Sequence, residues 1–426
     1  MIKKLLISLI AVVLLANMVQ AQTSRTTLLG QNLNTITTAV PFQLIAPDSR
    51  AAGMGDVGCA TSADINSQHH NPSKYVFNTS PFGLSVSYVP WLRKLGIGDI
   101  NLLYLSTYYK ITEMDAVAFS LRYFSLGGIT FTNEDGITQG DYHPNEFSMD
   151  FTYSRKLIDE LSIAITPRFI YSNLTQGQYV GGRESEAGMA GAADISLFYQ
   201  QDFRTRGMLN STLRAGLNIS NIGNKMSYSK GTLKRDFIPT NLKLGLSYTM
   251  EFNQYNKLML AFDLNKLLVP TPPIYEKDSL GNFVYDAAGN KVIAAGKDNN
   301  VSVVTGIFQS FADAPGVTTK NPDKVGTKGA VFLEELQEIT VGLGLEYAYR
   351  DLLFVRMGYF YESPYKGNRQ FFTLGAGLKY SIFVVDVSYM FTIDQHHPLE
   401  NTLRFSLSFD VASFNKKDIK ESMRLK

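Results

Sequence analysis

The sequence is poor in the residues that build disulfides and metal centres. Cys59 is its only cysteine, which excludes an internal disulfide framework and any multi-cysteine metal site. A lone cysteine of this kind is expected as a small buried side chain. Histidine is scarce as well: His69-His70, His396-His397 and a single His143 make up all five. Adjacent side chains in an extended segment point apart, so neither pair serves one metal well. There is no Gly-x-Ser-x-Gly elbow and no recognisable Ser/His/acid set, so the chain is read as a non-enzyme without catalytic residues or cofactor. Charge is sparse at 18%, and Lys3 and Lys4 account for the whole formal excess of +2. Nothing in that balance favours a nucleic-acid partner. Beyond the N-terminus no run of about 20 apolar residues occurs, so no membrane-spanning helix is expected.

What the sequence does have starts with "MIKKLLISLIAVVLLANMVQAQ". A basic pair, the apolar stretch Leu5 to Leu15 and the small-residue site Val19-Gln20-Ala21 read as a cleavable secretory signal over residues 1–21. The competing reading, an anchor helix, lacks a long enough apolar run. No cysteine follows the apolar stretch, so a lipoprotein anchor is not indicated.

From Phe82 onward the chain alternates. "EFSMDFTYS" sets Phe147, Met149, Phe151 and Tyr153 against Ser148, Asp150, Thr152 and Ser154, and "NTLRFSLSFDV" does the same over residues 401–411. A period of two is the signature of a strand with one apolar and one polar face. Fourteen such segments are expected, most of ten residues or longer, where soluble strands average about five or six. Their connections alternate too. Those after odd strands are mostly long, with runs of about 16, 19 and 70 residues, and those after even strands are tight turns such as "KLIDE" and "FNQYN", the parity of an outer-membrane barrel. Arg122, Asp150, Arg168, Arg214, Glu346, Arg356, Asp386 and Arg404 fall on the polar phase. Charges of mixed sign inside a barrel point to a plugged or stiffened lumen more than to an ion filter. The expected fold is all-β: a transmembrane barrel of 14 antiparallel strands over residues 81–411, with a periplasmic tail at 412–426.

Residues 22–80 do not alternate. They contain "GMGDVG", Gly53 to Gly58, which has the spacing of a dinucleotide loop. Such a loop needs a strand before it, a helix after it and an acidic residue about twenty positions on, and all three are missing. The glycines are expected instead to permit tight turns and close packing in the lumen. "SRAAGMGDVGCATSADINSQHHNPSKYVF" resembles the N-terminal hatch of FadL-type outer-membrane barrels, with Arg50, Gly53, Gly55, Gly58, Asn71 and Pro72 as its motif. "APDSRAAGMGDVG", "NPSKYVF" and the overall length are similar, more closely, to the PorV-like proteins of the type IX secretion system.

That resemblance implies an exported outer-membrane protein that contacts membrane lipid and a larger translocon barrel. It further implies that such a protein binds the C-terminal signal domains of cargo and hands them to a sortase-like surface attachment complex. A FadL-like diffusion channel for hydrophobic molecules is the alternative. The lipid A deacylation attached to proteins of this kind has no nucleophile or base identifiable here. The candidate partner-binding surface is the connection over residues 268–336, where loops of this length are usually functional or disordered. It carries Tyr275, Phe283, Tyr285, Phe308, Phe311 and Phe332. Two Gly-Asn hairpin turns are expected within it, followed by a helical turn over Val331 to Ile339.

Overall fold

A computed structural model describes residues 34–411, apart from 94–97, 133–137, 176, 178, 181–182, 230–234, 318–324, 394–398 and 401. The expected signal, the first residues of the plug, His396, His397 and the C-terminal tail therefore lie outside the described residues.

The alternating segments form fourteen strands: β1 Phe82–Pro90, β2 Ile100–Lys110, β3 Asp115–Leu126, β4 Asn145–Ile158, β5 Leu161–Asn173, β6 Gly188–Phe203 and β7 Asn210–Gly223. The second half comprises β8 Asn241–Glu251, β9 Asn256–Leu267, β10 Thr340–Tyr349, β11 Leu353–Tyr361, β12 Gln370–Tyr380, β13 Phe383–Thr392 and β14 Leu403–Val411. Each pairs antiparallel with its sequence neighbours, and β1 closes on β14 from Phe82↔Val411 to Tyr88↔Phe405. Closure leaves no open edge, which is what a sheet needs if it is to cross hydrocarbon.

The wall is inside out relative to a soluble protein. On β4, Ser148, Asp150, Thr152 and Ser154 are buried, while Phe151 is 58% exposed; on β11, Val355 is 59% exposed and Arg356 is buried. Apolar side chains pointing away from the protein need an apolar medium, so this face is the lipid face. Long connections gather at one rim, the loop end, and tight turns at the other, the turn end.

Residues 34–80 fill the lumen. Asn34 donates from its amide to Pro272 O at the loop end, and the segment finishes at the turn end, where Lys110 N donates to Pro81 O. Its backbone is held in short turns, each with a local cause. Asp48 caps helix α1, Ser49–Ala52, by accepting from Ala51 N. Helix α2 spans Ser67–His70. Asn71 then caps a 3-10 turn, Pro72–Phe77, with proline at its first position, where the missing N–H costs nothing.

The connection between β9 and β10 holds two helices, α3 Val303–Gln309 and α4 Lys328–Gln337. The second begins earlier than the expected helical turn because Thr327 caps it, accepting from Ala330 N. The Gly-Asn turns are present: Gly281 and Gly289 have positive φ, and the bridges Lys277↔Phe283 and Tyr285↔Lys291 close two hairpins one repeat apart.

Candidate functional site

The glycines of "GMGDVG" meet glycines of the wall. A Cβ on Gly53 would sit 3.0 Å from Gly375 Cα; one on Gly344 would sit 2.9 Å from Met54 Cβ; one on Gly358 would fall on Gly55 N. Gly55, at φ +71, lies between Tyr359 and Leu343, and a Cβ there would be 2.7 Å from Tyr359 O and 2.9 Å from Leu343 O. Gly58 makes room for the His70 ring. The loop is shaped for backbone against backbone, with no space for a pyrophosphate between them.

Polar bonds then fasten plug to wall. Arg50 grips Glu346 of β10 through Nη2 at 2.9 Å and Nε at 3.1 Å, and reaches Asp64 Oδ2 at 2.8 Å. Glu346 also accepts from Arg356 Nε at 2.6 Å, and Arg356 donates to Asp386 Oδ1 at 2.5 Å, so one chain of alternating charge runs from the plug across to β13. Asp263 Oδ2 accepts from Gly58 N and Cys59 N; Arg404 bonds Asp56 at 2.7 Å; Arg122, fully buried, donates to Gln43 O at 3.0 Å. Within the plug, His70 Nε2 lies 2.7 Å from Asp48 Oδ1, and Asn71 Nδ2 donates to Cys59 O and to Leu197 O of the wall. Burial opposes the charge of Asp48, yet His70 and the Ala51 N–H hold its carboxyl down at about 2. Burial beside Asp263 pushes the Cys59 thiol up, far from a reactive thiolate. Five of the six hatch residues bear on the wall: Arg50, Gly53 and Gly55 against β10 to β12, Gly58 on Asp263 of β9 and Asn71 on Leu197 of β6, while Pro72 opens the 3-10 turn.

The six aromatic side chains of the long connection separate into two groups. Tyr275 and Phe283 form an edge-on pair, 6.1 Å apart, beneath the Lys291 ammonium, and Tyr285 stands exposed on the second hairpin. Phe308 and Phe311 project from α3 and its end, and Phe332 from α4; Phe308 is 75% and Phe332 65% exposed.

Helix α4 is inverted. Its apolar residues Phe332, Leu333 and Leu336 face solvent, while Glu334 and Glu335 are buried. The reason is a cluster of ions that sequence reasoning missed. Lys366 Nζ bonds Glu334 at 2.7 Å and Glu338 at 2.9 Å; Lys266 Nζ bonds Glu338 at 2.7 Å and Glu335 at 2.9 Å. Glu335 Oε1 also accepts from Asp313 N and Ala314 N, and Glu334 Oε2 from Val317 N. Burial opposes the charge of Glu338, but Lys366 and Lys266 hold it below the usual carboxylate range. These bonds fix the long connection to the rim of β9 and to the β11–β12 loop. The sequence signal was "EELQE", three acids at helical spacing, ordinarily a solvated face.

Asp313 belongs to the same cluster and behaves oppositely. Burial, with Glu335 and Glu338 nearby, pushes its carboxyl up to about 7. The folded connection therefore holds a proton that the unfolded chain releases near pH 4. Stability falls as pH rises from about 4 to about 7 and is level above that. Asp313→Asn is expected to remove this decline: limited proteolysis of the connection should slow at pH 8 relative to wild type and match it near pH 4. Equal cleavage of both proteins at pH 8 would show that the Asp313 charge is not resisted.

The family of the chain is decided by its sequence over residues 29–274, more than half its length, which match the model of the type IX secretion system protein PorV. The chain belongs to the PorV family. It is an outer-membrane β-barrel of the type IX secretion system. No curated protein matches it. Among solved structures it is similar to the Pseudomonas putida toluene transporter TodX, at 12% identity over 86% of this chain and 99% of that one, with a TM-score of 0.44. It is similar too to the Ralstonia pickettii toluene transporter TbuX, at 10% identity over 89% and 98%, TM-score 0.40. A Pseudomonas aeruginosa FadL homologue aligns at 13% identity over 88% of this chain and 99% of that one, with a TM-score of 0.40.

Proposed function

We propose that this PorV-family barrel is a binding protein without chemistry of its own, carrying secreted cargo by its C-terminal signal domain from the translocon barrel to the surface attachment complex. The observation that carries the proposal is α4. A helix that buries its glutamates and turns Phe332, Leu333 and Leu336 outward presents an anchored apolar surface, the composition of an interface core. Phe308 and Phe311 on the neighbouring segment add to it. The alternative, a diffusion channel for hydrophobic molecules, would require a movable plug. The bidentate Arg50–Glu346 pair and the glycine seam favour a fixed one. The expected signal at residues 1–21 supplies export.

Phe308→Asp/Phe332→Asp is expected to leave the barrel inserted and to reduce co-purification of translocon and cargo signal domains at least tenfold, as loss of buried aromatic anchors does. Deleting 276–326 should abolish surface display of cargo. Display that survives the deletion would sink the docking role, and bound detergent or fatty acid without cargo would favour the channel.

A further inference from the structure

A cavity of about 460 Å³ lies above the plug at the loop end of the lumen, within the usual range for small-ligand sites. Neighbouring strands place Asn218 of β7, Lys243 of β8 and Asn265 of β9 side by side on its wall, in register with one another. The other charged side chains lining it are matched. Lys366 bonds Glu334 and Glu338, Arg369 bonds Glu362, and Asp56 bonds Arg404. The Lys243 ammonium has no ion pair or hydrogen bond among the described residues. Three amide atoms on lining side chains are likewise buried without a partner: Gln43 Nε2, Asn218 Oδ1 and Asn265 Oδ1. A half-buried cation and one unused amide donor, Gln43 Nε2, are completed by an acceptor group of a ligand or only by water, while Asn218 Oδ1 and Asn265 Oδ1 can accept only from a ligand's own donors.

We propose that this cavity binds a hydrophilic carboxylate, with Lys243 as its counter-charge. A single unmatched cation suits a group of single negative charge, and an ammonium–carboxylate hydrogen bond is among the stronger polar contacts. Ile36, Leu44, Ile45 and Leu267 give an apolar side that takes a few carbons, and Asn241, Asn265 and Thr340 give a polar side that suits a ligand with hydrophilic groups beyond its carboxylate. The carboxylate is either that of a free small acid or the end of a polypeptide entering from outside, since the plug closes the lumen below. The cavity shares Glu338 and Lys366 with the ion cluster under α4, but Lys243 takes no part in that cluster, so its substitution tests the site apart from the docking surface.

The test is calorimetric titration of the purified full-length barrel in detergent with succinate, N-acetyl-trialanine, the C-terminal amide of the same peptide, and laurate. At least one free acid is expected to bind and the amide is not. Lys243→Met should weaken binding about tenfold or more, and Lys243→Arg should retain it. Heat-modifiable gel migration establishes that each variant is folded. Succinate binding alone assigns a small-acid site; peptide binding alone assigns a chain end. No binding of either acid at millimolar concentration, equal binding by Lys243→Met, or binding of laurate only overturns the proposal and leaves a cavity filled with water.

Discussion

Gly55→Ala is expected to keep the plug from seating, whereas Gly281→Ala should give a folded barrel only about 1 kcal/mol less stable. Both glycines have positive φ, +71 and +87, so both substitutions carry the cost of placing an L side chain in the left-handed region, about 1–2 kcal/mol. They differ in surroundings. Nothing lies within 4 Å of a Cβ on Gly281, but one on Gly55 would be 2.7 Å from Tyr359 O, 2.8 Å from Tyr359 N and 2.9 Å from Leu343 O. Those are backbone atoms of β10 and β11, each tied to neighbouring strands, so no side chain can swing aside. The plug must withdraw or the wall must open. Gly358→Ala tests the same seam from the other side, where φ is not at issue, because its Cβ would fall on the backbone of Gly55 and Met54. Both variants should lose heat-modifiable migration, or expose residues 34–80 to protease within a closed barrel. Equal unfolding midpoints for Gly55→Ala and Gly281→Ala would mean that the seam is loose.

That seam shows where sequence reading succeeds and where it stops. The fourteen strands were legible because a period of two encodes the two faces of each strand directly, and every expected strand overlaps an observed one. The parity of the connections was legible for the same local reason. The interior of the plug was not. Arg50 finds Glu346 nearly three hundred residues away, and no local pattern encodes a contact of that range. One signal was available and unused: Gly245, Gly344, Gly358 and Gly375 all sit on the polar phase of their strands, and a row of inward glycines marks close approach by another backbone. The ion cluster under α4 was illegible for a different reason. Glu334 and Glu335 look like solvated residues until Lys266 and Lys366 arrive from distant strands. The aromatic candidates were found by composition, but only folding separates Tyr275 and Phe283, which pack on each other, from Phe308 and Phe332, which face outward.

Arg50→Met should destabilise the barrel by about 3–5 kcal/mol, the scale on which one partner is removed from a buried ion pair. Arg50 is the member of the chain of charges that ties the plug, through its own Asp64, to Glu346 of the wall. Burial opposes its charge, and Glu346 and Asp64 restore it by raising its pKa above the usual arginine value. Without the guanidinium, Glu346 keeps Arg356 at 2.6 Å, but Asp64 keeps only the Ser67 hydroxyl at 2.9 Å as a side-chain donor. Most of the cost therefore falls on Asp64, and Arg50→Met/Asp64→Asn is expected to recover a substantial part of the loss. Arg50→Lys should be intermediate, because an ammonium keeps the charge but cannot span both Glu346 oxygens and Ser62 at once. The measurement is the urea midpoint of heat-modifiable migration. A midpoint unchanged in Arg50→Met would show that water replaces the guanidinium freely, and the plug would then be held by its glycine seam alone.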